Sequence, residues 1–131
     1  MTALEKAPFE YTRWLGASPM NVQLLFWNPG PNVRLSPDEV ARELLWGEEV
    51  HGLIDLPVKE IIDRLKAEFP KSEEQPGLLV ANASAGSFEA TWTWQYVRVD
   101  GHGLPAADRQ RLIEAVESFG CMAYDVSQAG A

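Results

Sequence analysis

Two histidines and one cysteine are the first residues of this chain that could do chemistry. His51 closes the run "GEEVH", three positions after Glu48. On a helix, a Glu-x-x-His step puts both side chains on one face, the spacing that di-iron bundles use. Such a centre needs two of these motifs and two further glutamates. This chain offers one, just after Gly47 in a predicted linker, so His51 reads as a loop histidine. His102, in "DGHG", has Asp100 near it but no third ligand at a fixed spacing, and reads as a turn residue. Cys121 follows Gly120, and the sequence implies no base or cationic field to hold a thiolate there. It reads as a buried structural thiol, and as the single cysteine it forms no internal disulfide. That usage fits a reducing, cytoplasmic setting.

The chain also lacks a Gly-x-Ser-x-Gly elbow, a P-loop, a Gly-x-Gly-x-x-Gly turn and a Cys-x-x-Cys pair. No catalytic residue, metal ligand set or cofactor is therefore expected, which leaves an enzymatic role without residues to carry it. The charge is more informative. The net charge is −8, and residues 36–75 hold eleven acids against five bases. A field of that sign repels phosphate backbones and anionic lipid and attracts basic partners. Nucleic acid and membrane are thus not expected as partners. The longest apolar runs fall well short of the ~20 residues that span a bilayer.

The elements that must position these groups follow from periodicity and punctuation. A 46% apolar, 131-residue chain suits one globular domain. Residues 1–19 stand apart as an N-terminal arm carrying Phe9, Tyr11, Trp14 and Leu15, and residues 20–131 form a single α+β domain. "NVQLLFWNPGPN" (21–32) is a strand apolar on both faces, which suits a central position or cover by the arm. "SPDEVARELLWG" (36–47) is a short helix with Ser36 as N-cap, Pro37 at N1, Glu39 completing a capping box and Gly47 as its stop. A second helix over about 57–69 buries Val58, Ile61, Ile62, Leu65 and Phe69. "KSEEQPG" (71–77) reads as a polar loop, 78–84 as a strand and 88–99 as a long strand. The last helix spans 105–120 and a short strand follows over 121–126.

The long strand, "FEATWTWQYVRV", is the most unusual stretch. Phe88, Trp92, Trp94 and Tyr96 alternate with Glu89, Thr91, Thr93 and Gln95. Strict alternation predicts one buried and one wet face, so the aromatic ladder is expected to be a core wall. The alternative is a small-molecule-binding module, enzymatic or not, with an aromatic pocket on an open sheet face built from Trp92, Trp94, Tyr96 and Arg98. An Arg98–Asp125 pair across the sheet would be structural.

The element order predicts a ferredoxin-like βαββαβ two-layer sandwich: a four-stranded antiparallel sheet, its first crossover split into two short helices. The runs "VQLLFWN", "LPVKEIIDRLKAEFP", "FEATWTWQYVRV" and "SFGCMAYD" give residues 20–126 a layout that resembles small uncharacterised bacterial proteins, including immunity proteins encoded beside secreted toxins. The resemblance implies a single-domain binder with no chemistry of its own. The functional expectation is a non-catalytic, cytoplasmic protein-interaction domain. Its acidic helical surface, around Glu43, Glu48, Glu49, Glu60 and Asp63, would occlude a basic partner. A second copy of the chain is the other partner to expect, joined through the sheet or the arm.

Overall fold

Val22–Trp27 form β1, and the strand is central, as its two apolar faces predict: β5 (Val97–His102) lies on one side and β6 (Met122–Asp125) on the other. The computed structural model describes residues 21–129, so the predicted arm over 1–19 lies outside the described residues. After β1 come α1 (Pro37–Leu45), α2 (Val58–Glu68), β2 (Ser72–Gln75), β3 (Leu78–Asn82) and β4 (Ser87–Trp92). Beyond β5 lie α3 (Ala106–Glu117), β6 and a four-residue turn of helix, α4 (Val126–Ala129).

Local chemistry explains the helix ends. The Ser36 hydroxyl accepts from the Glu39 N–H at 3.3 Å, and the Glu39 carboxylate accepts from the Ser36 N–H at 2.9 Å. That reciprocal pair satisfies two donors that a helix start otherwise leaves unpaired. The bond from the Ser36 backbone, more than any other contact, holds the Glu39 carboxyl below its usual value. In α2, Ile61, Ile62 and Leu65 are buried, with Phe69 just beyond, as the spacing predicts.

The strands overturn the ferredoxin-like expectation. All neighbours are antiparallel in a six-stranded sheet ordered β2-β3-β4-β5-β1-β6, not a four-stranded one. Two departures account for the extra strands. "SEEQ", expected in a loop, pairs with β3 as the sheet edge, where short charged strands are tolerated because only one side is bonded. The expected long strand over 88–99 is a hairpin. Its chain reverses at Thr93–Tyr96, where the Thr93 N–H donates to the Tyr96 carbonyl at 2.9 Å, and Trp92 sits opposite Val97.

The helices also divide between the two faces. On one face α2 and α3 cover Leu24, Phe26, Leu79, Phe88, Ala90, Val97 and Val99. Here Phe69 meets Phe88 edge to face, centroids 5.0 Å apart. On the other face α1 buries Val40, Ala41 and Leu44 against Leu25 and Trp27, joined by Val50 and Leu53 from the following loop. This second cluster draws its strand residues from β1 and β6 and contains none of β2, β3, β4 or β5, with Tyr96 joining from the hairpin, so α1 covers the β1-β6 side of the sheet.

Candidate functional site

The hairpin reversal scatters the aromatic ladder. Phe88 and Ala90 are buried under α2 and α3, and Trp92 packs half-buried against the same cluster. Trp94 stands at the hairpin tip and is 47% exposed. Tyr96 lies on the opposite sheet face, against the α1 cluster. Arg98 follows on that face too, and its guanidinium pairs with Asp100 at 3.2 Å rather than with Asp125. The core-wall expectation thus holds for the first half of the run alone. Trp92, Trp94, Tyr96 and Arg98 do not converge on one pocket.

The five predicted partner-binding acids are divided in the same way. Glu43 on α1 and Glu48 and Glu49 in the loop after it belong to the second face. Glu60 and Asp63 lie on α2, across the sheet. Asp63 is engaged by Lys59 at 2.9 Å, which holds the Asp63 carboxyl low and the Lys59 ammonium high.

What the fold does assemble is one end of the molecule, built from the loop after α1 and the β4–β5 tip. The loop is stitched down by backbone geometry. The Ile54 N–H donates to the Asn28 carbonyl at 3.0 Å, and the Leu56 N–H to the Trp94 carbonyl at 2.9 Å. Between them lies a side-chain clamp. Gln95 Oε1 accepts from the Val50 N–H at 2.9 Å, and Gln95 Nε2 donates to the Val50 carbonyl at 2.8 Å. Gln95 is 4% exposed, so its amide replaces a strand partner for a backbone that water cannot reach. Glycines let the neighbouring loops close up. Gly52 has φ +99°, and a Cβ there would stand 3.0 Å from the Asn32 backbone. Gly30, at φ +49°, leaves no room for a Cβ against the Gly52 carbonyl.

Of the four exposed large apolar side chains among the described residues, Ile54 and Trp94 stand on this framework, and Trp46, 69% exposed at the α1 C-cap, precedes the loop. Residues 43–58 hold four acids (Glu43, Glu48, Glu49 and Asp55) and no lysine or arginine. Among the described residues no ion pair engages any of the four. A depression of about 350 Å³ lies between loop and tip, lined by Glu49, His51, Gly52, Leu53 and Trp94 with the Val50–Gln95 clamp. His51 also borders a second depression that holds Arg34.

The remaining chemical groups are structural. Buried Asp108 accepts from the Ser84 N–H at 3.2 Å, from the Ser84 hydroxyl and from Arg111 at 3.1 Å. Arg111 also donates to the Glu68 carbonyl and stacks 4.6 Å over the Phe69 ring. This network ties the α3 start to the β3–β4 turn and the end of α2, with every charge partnered. Cys121 is buried, and burial pushes its thiol up to about 11. The Tyr124 hydroxyl donates to Asp38, which raises its pKa, and its ring packs 5.7 Å from Trp27. No group of three or more metal-ligating side chains occurs among the described residues, and no described helix is long and apolar enough to cross a membrane.

Sequence reasoning passed over Trp46, Ile54, Asp55 and Gln95. The available signal for the hairpin was a phase slip: the apolar positions run 88, 90, 92, 94, 96 and then 97, 99, which a single straight strand does not do. No family model, no curated protein and no solved structure matches the chain.

Proposed function

We propose that this domain is a non-catalytic interaction module that binds a basic protein through the end built from the 47–55 loop and the 93–96 tip. The observation that carries it is that Trp46, just before the loop, and Trp94, at the tip, each expose an indole, while residues 43–58 hold Glu48, Glu49 and Asp55 and no lysine or arginine. Tryptophan anchors ringed by charge are the usual composition of an interface centre, because a large rigid ring gains much area for little lost freedom. The acids would steer a cationic surface onto those rings. An immunity-type role, in which the partner is masked rather than modified, is the form that the resemblance of the sequence implies. Glu60 and Asp63 play no part in this version, since α2 carries them on the opposite side of the sheet.

The test is affinity capture from cells that express the chain. Wild-type protein is expected to retain a protein of high isoelectric point, released by raising salt from about 0.05 to 0.5 M. The Trp46→Ala/Trp94→Ala and Glu48→Lys/Glu49→Lys variants are expected to lose it, and Glu60→Lys/Asp63→Lys to keep it. Retention by the first two variants, or loss only with the α2 variant, contradicts the reading.

A further inference from the structure

We infer that the depression between the 49–53 loop and the hairpin tip receives a single arginine side chain of the basic partner. The inference rests on the interaction reading above and narrows it to one contact. The lining has the right chemistry: Trp94 and Glu49 both border the depression with His51, and there is no lysine or arginine among the lining residues. A guanidinium stacks on an indole face while its N–H groups donate to a carboxylate, and it sheds water more readily than an ammonium. The size agrees, because about 350 Å³ has room for one long side chain. An anion would meet Glu49 there with no fixed cation opposite, since Arg34 borders the neighbouring depression beyond His51.

The site is also held in shape before anything binds. The buried Gln95–Val50 clamp fixes the base of the loop, the Leu56–Trp94 bond fixes the tip, and Gly52 presses its turn onto Asn32. Rigid walls reduce the ordering cost of capture. A flexible loop of the same composition would lack that advantage.

The experiment titrates ¹⁵N-labelled protein with acetyl-Gly-Arg-Gly-amide and with the citrulline analogue, which has the same shape and no charge. The arginine peptide is expected to shift the Trp94 indole N–H and the amides of residues 49–53 saturably, and the citrulline peptide to bind at least about fivefold more weakly. Trp94→Leu, which keeps an apolar side chain but removes the ring, is expected to abolish the shifts of the 49–53 amides. Glu49→Gln is expected to weaken binding roughly two- to fivefold. Spectra unchanged away from residues 46–56 and 92–97 show that each variant is folded. Equal binding of the two peptides, shifts centred elsewhere, or indifference to Trp94→Leu overturns the inference. If arginine peptide fails while partner capture still needs Trp46 and Glu48, this inference falls and the interaction reading stands. If the depression takes arginine but no basic protein is captured, the inference stands without that reading.

Discussion

Cys121 illustrates how a single residue's role is set by its surroundings rather than by its type. The side chain is 7% exposed beside α3 and β6, and burial lifts its pKa from the ordinary 9.0 to about 11. The folded state therefore favours the neutral thiol more than the unfolded chain does. Its contribution to stability is fully present below pH 9 and is lost as the pH climbs through 11. Tyr124 adds to the same trend above pH 10, because its hydroxyl donates to Asp38. Urea denaturation between pH 8 and pH 11 is expected to show the midpoint falling above pH 9, with a shallower fall in Cys121→Ala. An identical fall in that variant would mean that the thiol is not what titrates. The buried-thiol role was legible in the sequence from Gly120 and the apolar run behind it. Asp108 was not, because an acid in the first turn of a helix reads equally well as a solvated residue.

At the scale of elements, the helices were more legible than the strands. Helix α1 carries a capping box and a glycine stop, α2 is bracketed by Pro57 and Pro70 with full turns of apolar spacing, and each forms where those signals place it. The β4–β5 hairpin was hidden because "TWTW" and "QYVRV" are both strand-like, and the reversal contains no glycine, proline, asparagine or aspartate. Its turn is held from outside, by Gln95 reaching Val50 across 45 residues of chain. Edge strand β2 was hidden because its charge, which protects an edge, also imitates a loop. The Gln95 clamp carries a direct consequence. Gln95→Ala leaves the Val50 N–H and carbonyl buried without partners, at a cost of about 2–4 kcal/mol. Hydrogen exchange is expected to speed up at residues 48–56 and 93–96 well beyond the rest of the sheet. Uniform acceleration, or none, would show that loop and tip are not one unit.

For the whole molecule, placing α1 on one face and α2 with α3 on the other divides the helical surface between two sides of the sheet. The acids counted together along residues 36–75 are shared between two sides of the sheet, and only the α1 side joins them to exposed indoles. Sequence gives the amount of charge and not its sidedness, since sidedness depends on which face each helix covers. The measurement that tests the central claim most directly is hydrogen exchange of this protein alone and in complex with the basic partner proposed above. Protection is expected over residues 46–56 and 92–97, with α2 and α3 unchanged. Protection centred on α2, on β2 or on the face formed by β3 and β4, with 46–56 unaffected, would contradict it.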